Sequence, residues 1–243
     1  IGAGNVQGNI ADVSGGEVTD AAYGGYTTGA GNVEENTVAV EGGVLKNAYG
    51  GASAGSGAVE GNGVSLTSGT VVNAYGGNAA GSGEAIENSV EVDGASVTGT
   101  IYGAKTTTGK VSGNRVLIAD GTIGTSTAPA VLGSVMGAQS ADGNVDGNSV
   151  TITGGTIIGT VYGGGATGSG NVTNNAVNLG DKDNHNLSDA NLAAADLIGS
   201  IKGTGTASGN VLNVYAKNAN VHTVSAFDTH HFILDRAITD GAT

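Results

Sequence analysis

The sequence predicts an all-β fold: a right-handed parallel β-helix (solenoid) of about eight coils with a 26-residue repeat and a C-terminal cap. Three observations predict it. A motif recurs along most of the chain, with Asn36, Asn62, Asn88, Asn114, Asn148 and Asn175 separated by 26, 26, 26, 34 and 27 residues. An aromatic marker keeps the same step, since Tyr23, Tyr49, Tyr75 and Tyr102 are 26, 26 and 27 apart. The composition is that of thin stacked layers, with 47 glycines in 243 residues, 4% aromatics and one proline. Val and Ile beside Gly, Asn, Thr and Ser suit short strands joined by tight turns.

The repeat is clearest from Asn148 to Asn171, NSVTITGGTIIGTVYGGGATGSGN. Asn148, Val150 and Ile152 alternate with polar residues, and period two turns Val150 and Ile152 inward together. Gly154-Gly155 breaks the run, and a second apolar run leads to Tyr162 and a glycine cluster. In that second run the pairs Val44 and Ala48, Ile157 and Val161, Val131 and Val135, and Leu197 and Ile201 have even separations, which predicts that both members face inward.

Taken in order, the first coil holds Asn9, Ala11, Val13 and Tyr23, and the next three begin at Asn36, Asn62 and Asn88. The fifth opens at Asn114 and carries extra residues around Pro129, near 121–131. The sixth is the reference stretch. The seventh opens at Asn175 and takes a polar insert near 180–196, in which Ser188 before DANLAAAD predicts the cap of a short helix. It rejoins at Leu197, Ile201 and Lys202, and an eighth strand starts at Asn210. Residues 1–226 thus read as repeats and 227–243 as a capping segment. The chain begins at Ile1 within the pattern, which predicts a piece of something longer.

Net charge is −13 with eight Lys and Arg. Without a basic stripe, nucleic acid and anionic lipid are disfavoured partners. There are no cysteines, so no thiolate metal site or nucleophile exists. No apolar run approaches the roughly 20 residues a membrane helix needs.

The Asn row (Asn36, Asn62, Asn88, Asn114, Asn148, Asn175) reads as a structural ladder, because stacked amides hydrogen-bond along the axis and Asn tolerates turns. Tyr23, Tyr49, Tyr75, Tyr102 and Tyr162 follow an inward residue and so face outward. There they form a surface ladder or a face that stacks on sugar rings or anchors a protein. Met136 and Lys202 interrupt this row. The insert, with Asp181, Asp183, His185 and Asp189, is rich in oxygen donors and is the least repetitive exposed segment, so it is the first candidate for a specific contact. A calcium ion is the one cofactor its oxygens suggest, but it lacks the glycine and closing Glu of an EF-hand loop. No cofactor is otherwise expected. Glu34, Glu60 and Asp146 share one repeat position with Ile86 and Ser112 between them. Without a basic neighbour they read as a solvated edge rather than a catalytic pair. His230-His231 has no third ligand beside it.

The repeat form NSVTITGGTIIGTVYGG resembles coils in the passenger regions of large type V autotransporters of Gram-negative anaerobes, such as the fusobacterial adhesins. The likeness runs from Val6 to Val214, and Phe227-Asp228-Thr229-His230-His231-Phe232-Ile233-Leu234 resembles the aromatic segment that closes such passengers. Asp235 stands where the family often has Pro. The resemblance implies secretion across the outer membrane, display at the cell surface through a C-terminal barrel outside this chain, and adhesion. The partner would be a host-cell or bacterial surface receptor, protein or glycan. Two other readings share the scaffold: a polysaccharide lyase or hydrolase, and an element of a surface layer or filament that self-associates through coil ends.

Overall fold

The computed structural model describes residues 4–126, 130–181, 187, 190–216 and 219–233. Every regular element among them is a β-strand, and every pairing between strands is parallel. The strands lie in two sheets, an arrangement compatible with a solenoid.

One sheet has eight two-residue strands in chain order, from Val6–Gln7 and Val33–Glu34 through Val59–Glu60, Ala85–Ile86, Val111–Ser112, Val145–Asp146 and Val172–Thr173 to Ala207–Ser208. The other has fifteen strands and combines two runs. The first run stacks the alternating segments that follow each repeat Asn, including Ser89–Val97, Arg115–Ile123, Ser149–Ile152 and Ala176–Leu179. The second stacks the tyrosine segments, including Thr100–Thr106, Gly133–Ser140 and Thr156–Ala166. The two runs join in one sheet because Thr37–Ser53 and Gly63–Ala79 pass from one to the other without a break.

Register follows the repeat. Val38, Val64, Val90, Val116, Val150 and Val177 are consecutive partners, and all are buried. The second run departs from the parity expectation. Val44 is 49% exposed, and the inward residue is its neighbour Leu45, which leads a buried row of Val71, Val97, Ile123 and Ile157. Leu45 and Ala48 are both buried though three apart, as are Val71 and Ala74, so the alternation skips a residue between them and counting back from the tyrosine by twos gives the wrong face; Ile157 and Val161, four apart, are both buried as predicted. Val131 is likewise exposed, while Val135 is buried. The partner of Ile157 is Ile123, so the extra residues of the fifth repeat lie between Ile123 and Gly133, where Thr125 and Val131 form an antiparallel bridge. Pro129 lies outside the described residues.

Two further expectations are corrected. The segment after Ser188 is no helix: Asn191–Ile201 is a strand on Thr156–Ala166. Its β-structure follows from the residues it sends into the core, Ala195 and Leu197 in alternation and Leu192 beyond a register shift. Leu197 pairs with Val161 and Ile198 with Tyr162, so Ile198, not Lys202, occupies the tyrosine position, and Ile201 is only half-buried opposite Gly165.

The interior holds one large aliphatic cluster and two small ones in which Val and Ala replace anything larger. The repeat asparagines account for that economy of size. A Cβ placed on Gly25, Gly51, Gly77 or Gly164 would meet the amide of Asn36, Asn62, Asn88 or Asn175 within 2.4–2.9 Å. Beside them Gly24, Gly50, Gly76, Gly103, Gly137 and Gly163 form a row in which a Cβ would run into the carbonyl oxygen of the next glycine along the stack. Only glycine permits that approach.

Candidate functional surfaces

The asparagine row is buried along its length, with Asn36 through Asn210 at no more than 1% exposure. Each rung repeats one set of bonds. Its main-chain N–H and Nδ2–H both donate to Oδ1 of the next rung, at 2.8–3.2 Å from Asn9 through Asn175. From Asn36 to Asn148, Nδ2 also donates to two carbonyls of the short strands, as Asn88 does to Val59 and Ile86. The last rung, Asn210, donates to Oδ2 of Asp228 at 2.9 and 3.3 Å, so a carboxylate ends the series. Sequence reasoning missed Asp228, although it stands just before the Thr229 that pairs with Val211. The turn conformation falls on the residue before each Asn: Glu35, Gly61, Glu87, Gly113, Gly147, Asn174 and Gly209 all have positive φ.

The tyrosines face outward, as expected, but their ring faces are spent on one another. Tyr23, Tyr49, Tyr75 and Tyr102 stack at centroid separations of 4.9, 4.6 and 5.2 Å with interplanar angles of 7–13°. Tyr26 packs on Tyr23 at 5.1 Å, and the Lys105 ammonium lies 5.0 Å from the Tyr102 centroid. A sugar ring approaching this stack meets ring edges and hydroxyls, not faces. Tyr162 is set apart from the stack, because Met136, the partner of both Tyr102 and Tyr162, comes between. Burial raises the pKa of the stacked phenols. Tyr49 is pushed up to about 12, first by desolvation and then by Tyr75, Tyr23 and Asp20. Tyr23, Tyr75 and Tyr102 are raised for the same leading reason.

Glu34 and Glu60 pair in register with Ile86, Ser112 and Asp146 beyond them, as the spacing predicts. Hydrogen bonds from Thr173 and then Asn174, at 2.7 and 2.9 Å, hold the Asp146 carboxyl below its usual range. Asp196, unremarked in the sequence, accepts from Thr223 and contacts His222 Nδ1 at 2.8 Å, and its pKa is lowered, by Thr223 first. His231 Nδ1 meets Asn213 Oδ1 at 3.0 Å, and His230 packs its ring 5.8 Å from Phe227. The strand carrying them, Thr229–Phe232, lies on Val211–Val214 at the end of the stack. There Leu179, Leu212, Val221, His230 and Phe232 surround an apolar hollow of about 480 Å³. Of the insert candidates, Asp183, His185 and Asp189 lie outside the described residues, while Asp181 is half-buried. Among the described residues no three His, Asp or Glu side chains group closely enough to hold a metal ion.

No protein-family model, no curated protein and no solved structure matches the chain. The class that fold and surfaces define is an all-β protein of stacked parallel repeats with a hydrogen-bonded amide core.

Proposed function

We propose that the chain is a right-handed parallel β-helix of about eight coils from the passenger region of a type V autotransporter, serving as the stalk or adhesive module of a bacterial surface adhesin. In this reading it is non-catalytic, reaches the outside of the cell in an unfolded state, and stays attached through a C-terminal barrel beyond this chain. Its partner is a receptor on a host cell or another bacterium. The observation that carries the reading is the amide ladder, which runs from Asn9 to Asp228 beneath an aromatic closing segment. Such a ladder ties each layer to the next and makes a stiff spacer. The absence of cysteine and the likeness of the repeat to passenger coils support it.

The test is binding of labelled 1–243 to intact epithelial cells and to co-resident bacteria, beside a chain lacking residues 181–189, which spares the strand Asn191–Ile201, with the same strand-type circular dichroism. Saturable binding lost with the insert makes the fragment an adhesive module and locates its contact. Saturable binding without the insert moves the contact to the repeats. A folded fragment that binds neither cell type overturns the adhesive role and leaves a spacer.

A further inference from the structure

The chain carries 21 Asp and Glu against eight Lys and Arg, yet five consecutive tyrosine segments hold none of these carboxylates, which return only in the flanking segments, at Glu17 and Asp20 on one side and Asp196 on the other. The tyrosine segments 44–53 and 70–79, with Thr100–Thr106, Gly133–Ser140 and Thr156–Ala166, contain no Asp or Glu and carry Lys46 and Lys105. On this face a groove of about 280 Å³ runs beside the phenols, lined by Tyr49, Tyr75, Asn78, Lys105 and Thr107. That volume is near the lower end of small-molecule sites, roughly 300 Å³.

The groove offers unpaired polar groups beside a cation. Among the described residues the hydroxyls of Tyr49, Tyr75 and Tyr102 and the amide of Asn78 have no hydrogen-bond partner. The Lys105 ammonium has no carboxylate partner there either, and its one contact is the Tyr102 ring. Asn78 and Lys105 are partners in adjacent strands, and Gln139 continues their row. The rigid stack fixes three phenol O–H groups in line at the strand spacing of about 4.8 Å. An ammonium, an amide and a file of O–H groups match an anionic group set among hydroxyls, with the anion at the Lys105 end, away from the Asp20 that acts on Tyr49.

We infer that this groove binds an anionic saccharide, with Lys105 taking the carboxylate or sulfate and the phenol edges of Tyr49 and Tyr75 taking sugar hydroxyls. The inference rests on the adhesive reading for its biological sense but stands on its own geometry. The probes are sialyllactose, sulfated lactose and plain lactose, followed through tyrosine fluorescence, which no tryptophan obscures, and through the tyrosine ring signals in NMR. One or both anionic sugars bind saturably while lactose does not, and their ranking tells carboxylate from sulfate. Lys105→Gln weakens the anionic sugar about tenfold, the loss of one charge-assisted bond. Tyr75→Phe, which keeps the stack, weakens it severalfold. Equal binding of lactose, indifference to Lys105→Gln, or no binding by any of the three overturns the proposal. Cell binding without saccharide binding overturns it and leaves the adhesive role intact. Saccharide binding without cell binding upholds it and removes the adhesive role.

Discussion

The asparagine ladder and the tyrosine row climb the same layers, one inside and one outside, and they treat substitution differently. From Asn36 to Asn210 the ladder admits no exception. The outer row gives way to Met136 and then to Ile198. A buried amide has to be satisfied by its neighbours, since losing one partner leaves donors and acceptors stranded away from water at about 1–3 kcal/mol each. A half-exposed phenol asks only for an apolar neighbour, which a methionine or isoleucine also supplies. Strict repetition therefore marks a demand for hydrogen bonds, and loose repetition marks a demand for contact area.

That contrast is open to direct attack. Asn88→Ala removes the acceptor for two donors of Asn62 and the donors for Val59, Ile86 and Asn114. The expected loss is about 3–5 kcal/mol in urea unfolding, and a loss under about 1 would mean that water replaces the ladder. Gly76→Ala drives a methyl group against the Gly103 carbonyl and is expected to cost about 2–3 kcal/mol. The equivalent change at Gly8, where nothing lies within 4 Å of the added carbon, removes that clash and leaves only the strain of its positive φ. Tyr75→Ala opens the stack on both sides for about 1–2 kcal/mol, whereas Tyr75→Phe is expected to be neutral, because its hydroxyl has no partner to lose.

Alkaline titration sharpens the outer half of the comparison. A phenol whose folded pKa is raised contributes stability that is complete below its unfolded value near 10 and is lost as pH rises through the folded value, about 12 for Tyr49. Absorbance of the ionised phenol is thus expected late for the stack and at its ordinary pH once the chain is unfolded. Coincident titration in both states would remove the burial argument. The smallest effect has the opposite sign. Ser53 Oγ is buried without a partner in a row where Ala79 already stands, so Ser53→Ala is expected to stabilise by about 1 kcal/mol.

The repeat period, the parallel stacking, the inward Val row and the hydrogen-bonded Asn row were all legible in the sequence, because each depends on spacing within a short uninterrupted strand; that the Asn row is buried came from the structure. The faces of the second run were legible only in part: Ile157 and Val161 both turn inward as their spacing predicts, whereas Val44 and Val131 do not. Leu45 rather than Val44 turns inward because the alternation skips one residue between the buried Leu45 and Ala48, which a count by twos back from Tyr49 does not see. In the seventh repeat Lys202-Gly203 imitates a Tyr-Gly pair, but Ile198-Gly199 holds that place. The alanines of NLAAAD suggest a helix locally, yet the neighbouring strand offers pairing that a helix would forgo. Of the candidate surfaces, the outward Tyr row was readable and its mutual stacking was not, since a step of 26 says nothing about ring orientation. Asp228 was hidden for a plainer reason: it sits only 18 residues after Asn210, off the period.

The ladder also gives the molecule a direction. Each rung finds its Oδ1 acceptor on the layer that follows it in the chain, and only the last finds it on a carboxylate. A layer laid down at the Asn9 end meets an acceptor already in position, whereas one laid down at the other end must supply the acceptor itself. Building from Asp228 backward thus leaves no rung without an acceptor for its bonds to Oδ1 at any stage, so the stretch last in sequence is the natural footing and the first stretch is the last course. Amides of 207–233 gaining exchange protection before those of 6–34 during refolding would be the mark of that order, and the reverse sequence would deny it.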